Sequence, residues 1–140
     1  MMRKFIFFLL FIAALTGGAY YLMNTLFPIK YEEYVKEASE KYDIDEALIY
    51  AIIKAESGFN SSAKSHKDAQ GLMQLLPSTA EWIAKREKIK SYDLHDPRDN
   101  IMLGTAYFNY LLQKTDGNVE KAWIAYNAGI GRLKNEKWRQ

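Results

Sequence analysis

The chain has 140 residues and a formal net charge of +2, a length that suits one domain. It contains no cysteine, which excludes a disulfide framework, a thiolate nucleophile and a Cys-based zinc site. Arg3 and Lys4 are the only charges in the first 27 residues, so the other 113 hold 17 Lys and Arg against 17 Asp and Glu. A neutral body lacks the basic footprint of a nucleic-acid binder, so no nucleic-acid partner is expected. Aromatic residues make up 14%, with ten tyrosines, which suits a packed core and equally a groove that handles sugars.

Residues 1–27 form a separate object. Phe5 to Phe27 runs 23 residues without a charge. As a helix rising ~1.5 Å per residue it would span about 34 Å, enough for a ~30 Å hydrocarbon core. Arg3 and Lys4 precede the stretch, and Lys30, Glu32 and Glu33 follow it. The positive-inside rule then leaves the N-terminus in the cytoplasm and the rest outside the cell membrane, anchored by a single pass. Thr16-Gly17-Gly18-Ala19 offers the small residues of a signal-peptide cleavage site, the competing reading, which would make the protein secreted. The apolar stretch resumes through Tyr20, Tyr21, Leu22, Met23 and Leu26, longer than a typical signal core, and favours an uncleaved anchor.

Residues 28–140 read as helices joined by short polar turns, one small all-α domain. Apolar or aromatic residues at Tyr31, Tyr34, Val35, Ala38 and Tyr42 give an amphipathic helix. Asp45 is placed as an N-cap, with Ile44 and Ile49 as a hydrophobic staple, for a helix from Glu46 to about Glu56 that stops at Ser57-Gly58. Ser78-Thr79-Ala80-Glu81 spells a capping box opening a helix to about Lys88. Asp96-Pro97 puts a cap ahead of a first-turn proline for a helix to about Lys114. Thr115-Asp116-Gly117-Asn118 is a stop and restart before a last clear helix, Val119 to about Asn127.

Glu56 is the informative residue. It follows Ile52 by four positions and Ile53 by three, so it continues the apolar face of its helix. It also falls in the last turn, where unpaired carbonyls make a carboxylate unwelcome. Burial and the helix end would both raise its pKa, as a general acid working near neutrality requires. A frayed helix end with Glu56 in solvent is the other reading of its position.

Three separate motifs follow in order: Glu56-Ser57-Gly58-Phe59-Asn60, then Gly71-Leu72-Met73-Gln74 with Pro77 beyond it, and finally Ala125-Tyr126-Asn127-Ala128-Gly129. Asp96-Pro97, Asn100-Ile101, Gly104 and Tyr107 lie between the second and third. Over about residues 40–133 the chain resembles the catalytic domain of the soluble lytic transglycosylases. That resemblance implies a lysozyme-like fold acting on the glycan strands of bacterial peptidoglycan, with no cofactor and no metal. It makes Glu56 the sole catalytic carboxylate. It places Ser65 and Gln74 as polar contacts around the cleaved sugar and Met73 on the groove floor. Tyr126 corresponds to the tyrosine whose hydroxyl approaches the catalytic acid, and Asn127 supports that turn. Read from residue type alone, Met73 is also a core gap-filler, and Ser65 and Asn127 are also turn residues bonding the backbone.

Two departures from the family pattern stand out. Asp68-Ala69 occupies the place of a Gly-Ala pair, and if that position needs a positive φ, Asp is among the few residues that tolerate it. A carboxylate there also admits a two-carboxylate, lysozyme-like mechanism. Only 11 residues follow Gly129, where the family continues with a further helical segment, so a shortened form or an incomplete chain is expected.

The resemblance implies cleavage of the MurNAc–GlcNAc β-1,4 bond to 1,6-anhydro-MurNAc ends. The alternatives are a hydrolase on the same fold and a non-catalytic glycan-binding module. Other constellations fail: His66 and His95 stand 29 positions apart, and neither a Gly-x-Ser-x-Gly elbow nor a phosphate-binding glycine loop occurs.

Overall fold

A computed structural model of the chain describes residues 2–26 and 30–129. The chain divides into two compact units, residues 1–30 and 31–140. The first contains α1 (Met2–Leu26), whose stretch Lys4–Met23 is long and apolar enough to cross a membrane. The helix continues through Gly17 and Gly18. The hydroxyls of Thr16 and Thr25 donate back to the carbonyls of Ile12 (3.0 Å) and Tyr21 (2.8 Å), which removes two polar groups from an otherwise apolar surface.

The second unit is all helical: α2 (Glu32–Tyr42), α3 (Glu46–Ser57), α4 (Pro77–Glu87), α5 (Pro97–Lys114) and α6 (Val119–Ala128). Among the described residues there are no strands, only two isolated bridges, Lys64 with Gln70 and Gln70 with Leu75. Three helix starts are set by side chains named in the sequence. Asp45 accepts from the Ala47 amide (2.7 Å), Asp96 from Asp99 (3.0 Å) and Asn118 from Lys121 (2.9 Å), each satisfying an orphan donor of a first turn. The start of α4 differs from the capping-box reading. The helix opens at Pro77, with Leu76 in the cap position and no side-chain cap. Proline supplies the helical φ and has no N–H to satisfy, so Ser78 falls inside the first turn.

Helix α5 is the axis of the domain. It packs against α2, α4 and α6, and its buried residues include Ile101, Leu103, Phe108 and Leu111. The Arg98 guanidinium grips the Glu37 carboxylate with two bonds, tying the start of α5 to α2. That contact holds the Glu37 carboxyl below its usual range. At the other end of α3, Gly58 takes the left-handed conformation (φ 58°), and its amide donates to the Lys54 carbonyl (3.1 Å). The chain leaves the helix sharply there, directly after Glu56 and Ser57.

Candidate active site

Between α3 and α4 lies a loop without regular structure, residues 58–76, held by its own hydrogen bonds. The Gly71 amide donates to Ala63 (2.9 Å), while Gln70 and Leu75 exchange backbone bonds (2.9 and 3.0 Å). The side-chain amide of Gln74 donates to the carbonyls of Ala63 (3.1 Å) and Gly71 (2.9 Å), drawing the loop's two limbs together. Gln74 does this from a positive φ of 48°. Ser65 is a turn residue by its contacts: its hydroxyl oxygen accepts from the amides of Lys67 (3.2 Å) and Ala69 (3.1 Å). Asp68 has a φ of 67°, the left-handed conformation that aspartate tolerates, and its exposed carboxylate pairs with Lys64 at 2.7 Å. That lysine holds the Asp68 carboxyl below its usual range.

The loop is fastened to the domain by Asn100 of α5, fully buried and without an exposed atom. Its carbonyl oxygen accepts from the Met73 amide (2.7 Å), and its amide donates to the carbonyls of Gln70 (3.0 Å) and Leu94 (2.8 Å). Two glycines make the close approach possible. A Cβ on Gly71 would stand 2.1 Å from the Asn100 side chain, and its φ of 78° favours glycine in any case. A Cβ on Gly104 would stand 2.4 Å from the Met73 sulfur. The Met73 side chain is wholly buried against α5, where the Thr105 hydroxyl approaches its sulfur at 3.9 Å. Anything Met73 offers to a groove therefore comes through its backbone.

That backbone leads to Tyr126. The Tyr126 hydroxyl donates to the Met73 carbonyl at 2.7 Å, joining α6 to the Gly71–Gln74 turn. Burial, the Glu56 charge and Tyr107 together push the Tyr126 phenol well above its ordinary pKa, so it remains a donor. The ring is flanked by Tyr107 (centroids 5.3 Å), by Phe108 (6.0 Å) and by Trp123, nearly parallel at 6.1 Å. Glu56 is half-buried at the end of α3, and burial raises its carboxyl pKa. The structure thus brings Tyr126 and Met73 together, with the Glu56 charge acting on the Tyr126 phenol. Asn127, in contrast, is exposed, and its amide donates to the Trp123 carbonyl one helical turn back (3.0 Å). Asn100 was not among the candidate site residues. The signal available was a polar residue on the apolar stripe Asn100, Leu103, Gly104, Tyr107, Phe108, Leu111.

Among the described residues, no three His, Asp or Glu side chains gather closely enough to hold a metal ion. A carboxyl of raised pKa, such as that of Glu56, can donate and accept a proton near neutrality. The family model of the transglycosylase SLT domain matches residues 33–140. The chain belongs to that family. The SLT domain here is similar to a putative soluble lytic murein transglycosylase of Haemophilus influenzae, 37% identical over 90% of this chain and 21% of the relative. It is likewise similar to the soluble lytic murein transglycosylase of Escherichia coli K12, 34% identical over 87% of this chain and 20% of the relative. The crystal structure of the 70-kDa soluble lytic transglycosylase of Escherichia coli superposes with a TM-score of 0.77, at 34% identity over 88% of this chain and 21% of that one. An inactive glutamate-to-glutamine mutant of the Pseudomonas aeruginosa lytic transglycosylase Slt gives 0.76, at 33% identity over 80% of this chain and 19% of that one. The chain therefore spans about a fifth of the length of these relatives. The end of the SLT domain after Gly129, where a shortened terminus was expected, lies outside the described residues.

Proposed function

We propose that this SLT domain is a peptidoglycan lytic transglycosylase in which Glu56 alone serves as acid and base. The observation that carries the reading is a half-buried Glu56 with a raised pKa at the end of α3, where the loop braced by Gln74 and Asn100 begins, its charge acting on the Tyr126 phenol. The other carboxylate singled out in the sequence, Asp68, is engaged with Lys64 at the surface. Ordinary glycosidases use two carboxylates, one to protonate the leaving oxygen and one to attack or to activate water. The second is dispensable when the nucleophile belongs to the substrate. Protonated Glu56 gives its proton to the oxygen of the MurNAc–GlcNAc link as the bond to C1 breaks. The resulting carboxylate takes the proton of the muramic 6-hydroxyl as that oxygen bonds to C1. An internal hydroxyl competes with water at high effective molarity. The proton count returns to its start and no water enters.

The remaining residues have graded roles. Tyr126 lies where its hydroxyl and the Glu56 charge interact, and it fixes the Met73 carbonyl. Among the described residues no hydrogen bond uses the Ser65 hydroxyl proton or the Gln74 side-chain carbonyl oxygen, which suits both to sugar contacts beyond their loop bonds. Met73 acts through its backbone in the core, and Asn127 bonds the Trp123 carbonyl on α6 through its side chain. Replacing Tyr126 by Phe removes one hydrogen bond to the turn while keeping the ring. Turnover should fall about tenfold or more with the melting temperature lowered only slightly, since a single bond contributes ~1 kcal/mol net. Equal turnover in the two proteins would take Tyr126 out of the mechanism.

Membrane association is supported by α1 and by similarity to membrane-bound lytic murein transglycosylase C of Klebsiella pneumoniae, 41% identical over 74% of this chain and 32% of that relative. The proposed topology is a single uncleaved pass with the SLT domain outside, from Arg3 and Lys4 ahead of the span. Carbonate-resistant membrane association and protease access from the outer face are expected. A mature N-terminus near residue 19 would indicate a cleaved signal instead. The activity itself is tested by digesting purified peptidoglycan with the full chain and weighing the muropeptides. Anhydro ends are lighter than hydrolysed ends by one water, about 18 Da, because the attacking oxygen is internal. Reducing MurNAc ends alone would mean a hydrolase.

A further inference from the structure

A cavity of about 190 Å3 opens between the last turn of α2, the connection that follows α4 and the first turns of α5. On α5 it takes Arg98 and Met102, which at ~100° per residue stand about 160° around the helix from Asn100, the residue that fastens the loop 58–76. It is a separate place from the candidate active site. Its floor is apolar, with Met102 and Leu103 buried and Ile89 half-buried. Its rim carries the Lys41 ammonium, the Arg98 guanidinium and the Asp99 carboxylate, with the hydroxyls of Ser91 and Tyr92 beside them. Glu37 fixes the guanidinium through Nε and one terminal nitrogen, which leaves the other terminal nitrogen for a ligand. One Asp99 oxygen accepts from the Asp93 amide (2.9 Å), and no hydrogen bond uses the other among the described residues. The Lys41 ammonium lies 5.0 Å from the centre of the Tyr42 ring and forms no ion pair among the described residues.

Both signs of charge stand on this rim, and that selects the ligand class. A bare anion gains little, because Lys41 and Arg98 already act on the Glu37 carboxylate and Asp99 would face the newcomer. A bare cation meets two like charges. A larger ligand meets a space below the ~300–1,000 Å3 of ordinary small-molecule sites. An α-amino-acid end, with ammonium and carboxylate on one carbon, answers both signs at once. We propose that this cavity binds the zwitterionic end of an aliphatic α-amino acid, free or carried on a peptide side chain. The ligand's carboxylate sits between Lys41 and Arg98, its ammonium at Asp99, and its aliphatic chain along Met102, Leu103 and Ile89. Arg98 and Asp99 are already held by Glu37 and by the Asp93 amide, so binding costs little ordering of these two side chains. The site is independent of whether Glu56 cleaves glycan.

The test titrates the full chain in detergent micelles with 2,6-diaminoheptanedioate, which has such an end on an aliphatic chain, and reads the heat of binding. Heptanedioate lacks the amino groups and 1,5-diaminopentane lacks the carboxylates, so each should bind about tenfold more weakly or worse. Lys41→Met and Asp99→Asn should each weaken binding of the probe about tenfold, the loss of one charge-assisted contact, with a nearly unchanged melting temperature. Lys41 is exposed, so its variant keeps the test valid even if Asp99→Asn loosens the turn at Asp93. Heptanedioate binding as tightly as the probe overturns the proposal, as does binding within twofold of the wild type in both variants. So does the absence of saturable binding of the probe below roughly 10 mM. Joining the probe to alanine through one of its two ends distinguishes the sources. Equal or tighter binding then assigns a peptide-borne ligand, and a tenfold loss assigns the free amino acid.

Discussion

Glu56→Gln is expected to remove cleavage almost completely, by at least the ~10²–10⁴ assigned to general acid–base catalysis. Glutamine keeps the size of the side chain but neither gives a proton to the leaving oxygen nor accepts one from the 6-hydroxyl. In the proposed mechanism both steps pass through this one group, so no second residue shares the loss. Binding should persist, because the shape of the site is kept. The pH dependence has a definite sign. Burial raises the carboxyl pKa of Glu56 in the folded chain. The protonated acid therefore survives above the ordinary glutamate range, and kcat/KM should fall as pH rises through that raised value. Stability runs the same way: the folded state holds the proton more tightly than the unfolded one. The stability linked to Glu56 is full below the unfolded pKa and is lost as pH rises through the folded one. Glutamine does not titrate, so the variant should be as stable as the wild type at neutral pH, or more so. Wild-type turnover in Glu56→Gln would shift the search to Asp68.

The largest expected effect on stability is that of Asn100→Ala. The Met73 amide and the Leu94 carbonyl would each lose the Asn100 partner in a buried site. The Gln70 carbonyl keeps a bond from the Leu75 amide. Two buried orphaned groups at ~1–3 kcal/mol each, with a small cavity added, imply a loss of about 3–5 kcal/mol. In thermal denaturation that is a fall in Tm on the order of 10–20 °C. Activity should fall as well at temperatures where the domain is still folded. The Met73 carbonyl that receives the Tyr126 hydroxyl belongs to the turn Asn100 holds. A Tm within two or three degrees of the wild type, about what half a kcal/mol produces, would mean that the loop is held by its own bonds.

The helices were legible because their signals are local. Asp45, Asp96-Pro97 and Asn118 each act within three residues, and they mark the starts of α3, α5 and α6. The boundary of α4 was misplaced by one competing local signal, Pro77 winning over a capping-box spelling at Ser78. The half-burial of Glu56 was legible from its place on the apolar face at a helix end. Asp68 shows how a single substitution carries conformational information: a residue standing for glycine adopts a φ of 67°. The wiring of residues 58–76 was not legible. Gln74 and Phe59 take positive φ values without being glycine, held there by tertiary contacts that have no local spelling. Asn100 meets Met73 across 27 residues of sequence, and only the shared apolar stripe of α5 hinted at it.

One digest decides the central claim, that the nucleophile is the substrate's own hydroxyl and Glu56 is the only carboxylate needed. Peptidoglycan is cut by the full chain in water enriched in heavy oxygen, and the new glycan ends are weighed. Anhydro-MurNAc ends carrying no heavy oxygen, absent from the Glu56→Gln digest, are the predicted result. Heavy oxygen at C1 of the new reducing ends would contradict it, because water would then be the nucleophile.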